Sequence, residues 1–164
     1  MPRKKKTISH VDENGKMAMV DISGKTRSRR RAIAHAVVTM NGEAFRALVE
    51  NRSHKGDVLA CAHVGGIAFA KEAYRLIPLC HPISISHISL LFEPLPESRR
   101  VAITAEVKAR DATGVEMEAL AAATGAALTI IDMLKSLDKA MIIGPVELLL
   151  KEGGAGGRYE KRKS

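Results

Sequence analysis

Aromatic residues are scarce in this 164-residue chain: three Phe, two Tyr and no Trp, 3% in all. That argues against base-stacking nucleic-acid modules, which present exposed aromatic platforms. It also leaves the core to Ala, Ile, Leu, Val and Met. Cysteine is scarce too. Cys61 and Cys80 are too few for a disulfide framework or a Cys-based zinc site. No apolar run reaches the roughly 18 residues that suggest a membrane span. The basic start Met1-Pro2-Arg3-Lys4-Lys5-Lys6 has no apolar stretch behind it, so it does not read as a secretory signal. A soluble, cytoplasmic protein with no membrane partner is the expectation.

Hydrophobic residues make up 46% of the chain, more than a disordered chain carries, and the length suits one domain. The net charge is +8 but it is unevenly placed. Residues 3–6 carry +4, residues 25–31 carry +5 and residues 158–163 carry +3, so the rest of the chain carries −4. The basicity sits in two tails and one segment, around a mildly acidic body. Charge alone would allow a basic α+β RNA-binding module. The placement of that charge and the missing aromatics argue against it, and no nucleic-acid partner is expected.

Residues 1–16 are polar and read as a loose basic arm. Met17 to Ile22 predicts a short strand. Ala32 to Met40 is an apolar run of either type. Asn41 caps a helix through Phe45, Leu48 and Val49. Asp57 caps a second helix through Val58, Ala62, Ile67 and Tyr74. Gly65-Gly66 inside it costs about 1 kcal/mol per Gly in propensity, so a close packing contact is expected there. Pro78 and Pro82 make the stretch from Leu76 to Pro82 irregular or extended. Ser84 to Phe92 and the cleanly alternating Arg100 to Arg110 predict a hairpin. Thr113-Gly114-Val115-Glu116 fits a capping box and opens a long helix to about Ser136. Met141 to Leu150 predicts a last strand, interrupted by Gly144-Pro145, and residues 152–164 read as a flexible Gly-rich basic tail. The order predicts an α+β fold over residues 17–151: a ferredoxin-like antiparallel sheet with helices packed on one face.

The last helix is the most informative segment. Ala119 to Ile131 contains no charged residue. A helix apolar all round is buried on several sides. One sheet covers one side, so another chain is expected to cover the rest. Asp132 and Lys135 end the stretch on one face. Lys suits the helix C-terminus and Asp does not. Alone, the pair reads as a solvated helix end, yet a broken local rule marks a candidate site. Glu116 and Glu118 flank Met117 at the helix start, where carboxylates also suit the dipole. Lys55 reads as a loop lysine and Arg30 as a solvated arm or a phosphate binder. Cys80-His81 has no partner at metal-ligand spacing, so no metal is expected. The glycines of 153–157 match neither a Walker loop nor a dinucleotide fingerprint.

Six segments taken together go further. Met19-Val20-Asp21-Ile22-Ser23, Lys55-Gly56-Asp57-Val58-Leu59 and Leu76-Ile77-Pro78-Leu79-Cys80-His81-Pro82 are the first three. Thr113-Gly114-Val115-Glu116-Met117-Glu118-Ala119-Leu120, Asp132-Met133-Leu134-Lys135 and Ile143-Gly144-Pro145-Val146 complete them. In this order and spacing they resemble the MoaC family, the cyclic pyranopterin monophosphate synthases of molybdenum-cofactor biosynthesis. The resemblance runs from about His10 to Gly157. It implies a lyase acting on a small nucleotide-derived substrate, 3′,8-cyclo-7,8-dihydroguanosine triphosphate. The purine-derived rings are rearranged into a pyranopterin, a cyclic phosphate closes and pyrophosphate leaves.

By the same resemblance Asp132, Lys135 and Lys55 match the family's catalytic residues. Leu79, Cys80, His81, Met117 and Glu118 match its substrate-binding segments, and Arg30 and Glu116 match positions lining its pocket. The residue types suit the chemistry. Ring opening and reclosure need proton transfers that a carboxylate and lysines supply, clustered lysines lower one another's pKa, and cations bind a polyphosphate and stabilise its departure. No redox or other cofactor is called for. The expected assembly is a homo-oligomer, a hexamer built from dimers with sites shared between chains. Glu118 and Asp132 lie 14 residues apart, about 21 Å along a straight helix, too far for one ligand's reacting rings to touch both. A bend at Gly125 is the alternative. A structural oligomer subunit without activity is the third reading. The chain departs from the family pattern in the extra positive charge of Arg27, Arg29, Arg31 and the 3–6 arm.

Overall fold

The computed structural model describes residues 15–162. The elements run β1 (Ser28–Thr39), α1 (Gly42–Val49), α2 (Val58–Leu76), β2 (Ile85–Leu95), a 3₁₀ turn (Pro96–Ser98), β3 (Arg100–Asp111), α3 (Glu116–Leu134), β4 (Ile142–Glu152) and β5 (Tyr159–Glu160). The sheet order is β2-β3-β1-β4-β5 and each neighbouring pair is antiparallel. The first four strands have the ferredoxin-like arrangement that the element order predicts. α3 lies on β1, β3 and β4, and α2 lies against α3 and β2.

Period-two patterning sets which face is buried. Ala32, Ala34, Ala36 and Val38 of β1, with Val101, Ile103, Ala105 and Val107 of β3, point to the helices and are fully buried. α3 answers with Ala119, Ala122, Ala123, Ala126, Ala127 and Ile130, also fully buried. Small residues on both sides let the helix lie close to the sheet. Each larger buried side chain, such as Ile103 or Ile130, contributes about 1.5–3 kcal/mol. α3 has the length and mean hydropathy (1.5) of a membrane span, yet 56% of it is buried inside this fold, so packing accounts for its composition.

Gly65, Gly66 and Gly125 are where α2 and α3 touch. A Cβ on Gly66 would stand 2.5 Å from Leu90 Cδ2 and 2.9 Å from the carbonyl oxygen of Ala122. A Cβ on Gly65 would meet Thr129, and one on Gly125 would meet the Phe69 ring. The close contact expected at Gly65-Gly66 is therefore present. Gly66→Ala gains helix propensity but pushes on fixed backbone, so a net loss of about 1–2 kcal/mol is expected. Urea melts at equal protein concentration check this, and an unchanged midpoint counts against it.

Local caps follow the sequence. Asn41 Oδ1 accepts the Ala44 N–H at 2.9 Å and Asp57 Oδ1 accepts the Ala60 N–H at 2.9 Å. Four expectations need correction. Met17 to Ile22 is not a strand; only Met17 makes a single bridge. The first strand lies instead at Ser28–Thr39, where Arg29 and Arg31 face outward and the alanines continue the inward pattern. The capping box does not form: α3 starts at Glu116 with no side-chain cap. The Glu116 carboxylate folds against Gly114, where a Cβ would block it. β4 runs through Gly144-Pro145, accommodated by register shifts against β1. The segment read as a flexible tail turns back, and β5 pairs with Leu150 and Lys151. Arg158 bonds Glu152 and Glu160, both at 2.8 Å, and Lys161 pairs with Glu147. The arm at residues 3–6 and Lys163 lie outside the described residues.

Candidate active site

One group of residues gathers at the start of α3. α2 ends at Leu76, and Pro78 and Pro82 hold the next stretch out of helix. Leu79, Cys80 and His81 thereby reach the first turn of α3 and, with Glu116, Met117 and Glu118, line a cleft of about 400 Å³. Buried Asp111 ties the surrounding loops together. Its carboxylate accepts the Ala112 N–H at 2.7 Å and the Ser84 N–H at 3.3 Å. Arg30 braces the same corner, donating to the carbonyls of Asp111 and Ala112, each at 2.9 Å. Arg30 is thus an anchored side chain, not a solvated arm. It faces an adjoining wide cleft of about 1160 Å³ shared with Lys25, Thr113, Glu116, Lys151 and Gly154.

Burial dominates the electrostatics here. Glu118 is 3% exposed. Loss of water raises its pKa to about 7, with smaller upward pushes from Glu116 and Asp111. The Cys80 thiol is also pushed up, by burial and then by Glu118. It stays a thiol, which makes it a poor nucleophile. No group of three or more His, Cys, Asp or Glu is arranged to hold a metal ion among the described residues.

A second group gathers at the other end of the helix. Lys135 Nζ donates to Asp132 Oδ1 at 2.7 Å. Lys55 Nζ donates to the Asp132 backbone carbonyl at 2.7 Å and to Oδ2 at 3.2 Å. Lys55 reaches this point because Gly56, at φ +95°, turns the chain just before the Asp57 cap. The Asp that breaks the dipole rule is compensated by both lysines, Lys135 first, which hold its carboxyl below the usual range. The Asp132 side chain is 59% exposed and the lysines are exposed as well. They form an open, charged cluster suited to meeting a ligand.

The expected site residues therefore fall into two compact groups. Leu79, Cys80, His81, Glu116, Met117 and Glu118 meet at one end, beside Arg30; Lys55, Asp132 and Lys135 meet at the other. One chain does not join the groups. α3 is helical without a break from Glu116 to Leu134, so Gly125 packs against Phe69 and does not end the helix. The helix face between the groups is incompletely covered: Met117, Ala121 and Thr124 are half-buried, and Leu128 is 45% exposed. Their spacing of four, three and four residues puts them on one stripe. That stripe reaches Lys135.

Residue-by-residue reading missed Lys25, Lys151 and the glycine loop at 154–156, which line the wide cleft. Lys25 was legible only as part of a basic run. Lys151 had no motif to mark it, because the return of β4 alongside β1 brings it there.

The sequence model of the MoaC family matches residues 19–154. The chain is also similar to a curated relative, the cyclic pyranopterin monophosphate synthase of Geotalea uraniireducens (strain Rf4). The two are 47% identical over 157 residues, spanning 96% of this chain and 98% of the relative.

Proposed function

This chain belongs to the MoaC family, and on that premise we propose that it acts as a cyclic pyranopterin monophosphate synthase in molybdenum-cofactor biosynthesis. It takes the cyclised GTP derivative, rebuilds the purine-derived rings as a pyranopterin, closes the cyclic phosphate and releases pyrophosphate. The observation that carries the reading is the sorting of the family-matched residues into two groups with complementary chemistry. One group offers a buried carboxyl that exchanges its proton near neutral pH. The other offers an ionised carboxylate between two lysines. Arg30, Lys25 and Lys151 supply positive charge where a triphosphate would lie. Incubation of the purified protein with the cyclised GTP derivative tests it, read by pyrophosphate release and product mass. No pyrophosphate would overturn the reading, and RNA retention with a steep salt slope would replace it.

The site is completed by a second copy of the chain. The stripe of Met117, Ala121, Thr124 and Leu128 is only partly covered by the described residues. A two-fold axis midway between Thr124 and Leu128 would lay two α3 helices antiparallel. The start of each would then face the end of the other, joining Glu118 to the partner's Lys135 and Asp132. Each dimer holds two such sites, and three dimers make the proposed hexamer. The setting is soluble and cytoplasmic.

Glu118 then has a testable role. Its pKa near 7 suits a group that takes and returns a proton at neutral pH. Turnover against pH is expected to carry a limb near 7, and the residual turnover of Glu118→Gln, on the order of a hundredth of the parent's or less, is expected to lack it. An unchanged limb in that variant removes Glu118 from proton transfer.

A further inference from the structure

The sheet face turned away from the helices carries a cluster of cations that the reaction does not use. β1 and β3 pair with Arg29 directly opposite Arg110 and Arg31 directly opposite Lys108. Arg30 points to the helix side and is buried there. Strand alternation therefore sends Arg29 and Arg31 to the outer face. Like charges directly opposed on a ladder destabilise it, so each pair calls for compensation.

The second pair has it. Glu106 accepts from Arg31 at 2.6 Å and also pairs with Lys108. Glu152 accepts from Arg31 at 3.2 Å and from Arg158 at 2.8 Å. The first pair does not. Arg29 and Arg110 are exposed, and neither side chain bonds or ion-pairs with another described residue. The two guanidiniums flank a concavity of about 610 Å³, whose wall includes Ser86, Arg31, Lys108 and Glu152. Around it Glu106, Glu152 and Glu160 stand against Arg29, Arg31, Lys108, Arg110 and Arg158, an excess of two positive charges.

We propose that this concavity is a second anion site that binds a di- or triphosphate chain, separate from the substrate cleft. Two free guanidiniums on opposed positions stand about 5 Å apart at their Cα atoms. They call for a ligand with at least two charges, and a single carboxylate would neutralise only one. Guanidinium forks match phosphate oxygens two at a time. The surface is a concavity with no aromatic residue in its wall, which suits a short phosphate chain better than a stack of bases. Arg30 lines both this concavity and the wide cleft, but its guanidinium turns to the helix side of the strand, where it is held by the carbonyls of Asp111 and Ala112.

The test uses the intact oligomer at low salt with inorganic tripolyphosphate as probe. Calorimetric titration is expected to show two classes of binding per chain, one displaced by substrate and one not. Replacing Arg29→Gln and Arg110→Gln together should remove the second class and leave turnover at the parental rate. Without ligand, this double variant should melt at or above the parent, because the opposed charges are gone. Arg110→Gln alone leaves β1 untouched and should weaken the second class at least tenfold. The proposal is overturned by a single binding class in the parent, or by two classes that survive the double substitution. Turnover that falls together with binding, or binding of a long polyanion without tripolyphosphate, also overturns it.

Discussion

Lys135→Ala and Lys55→Ala are each expected to lower pyrophosphate release by about a thousand-fold while leaving the fold intact. General acid–base groups typically contribute 10²–10⁴-fold, and both lysines also hold Asp132. Lys135 holds Oδ1, whereas Lys55 holds Oδ2 and the backbone carbonyl. On the proposed roles, losing either lysine would remove a proton carrier and free the carboxylate to turn. Stability should change little, because exposed ion pairs contribute about 0–1 kcal/mol. The loss should lie in kcat more than in KM if the lysines act in the chemical steps. A melt and a pyrophosphate assay on each variant decide the matter. Near-normal turnover in both would remove the cluster from catalysis.

Much of this fold was legible because its cues are local. Asn41 and Asp57 cap the helices that follow them by accepting the N–H three residues downstream, and the alternation of β3 runs unbroken from Val101 to Ala109. β1 was obscured by its own arginines. An inward Arg30 looks like a solvent signal until the carbonyls of Asp111 and Ala112, more than 80 residues away, are placed around it. β5 has only two residues and exists through pairing with β4, so no periodicity announces it. The candidate site divides the same way. Asp132 and Lys135 share a face by spacing, whereas Lys55 joins them across 77 residues of chain. Glu118 resembles a surface residue of a first helical turn. Only packing shows it to be buried, with a pKa near 7.

Mixing two inactive variants is expected to restore activity. Glu118 and Asp132 sit 14 residues apart on one unbroken helix, about 21 Å along its axis. A nucleotide's reacting rings span much less, so one chain cannot present both residues to them. In the proposed dimer, antiparallel packing across the Thr124–Leu128 stripe would bring the two together from different chains. Glu118→Gln is the safer first variant, because Glu118 is buried and glutamine keeps its volume. Glu118→Ala serves as the second, and Asp132→Ala, on an exposed side chain, is the complementary partner. Unfolding and refolding a Glu118 variant with Asp132→Ala at equal amounts gives mixed dimers in about half of cases. In each mixed dimer one site carries both lesions and the other carries none. Half the dimers with half their sites intact predicts about a quarter of parental turnover. Each variant refolded alone should stay at about a hundredth of parental turnover or less. If mixed oligomers are confirmed by mass and the mixture remains as inactive as its components, both residues serve one chain's site. The antiparallel arrangement of α3 is then wrong.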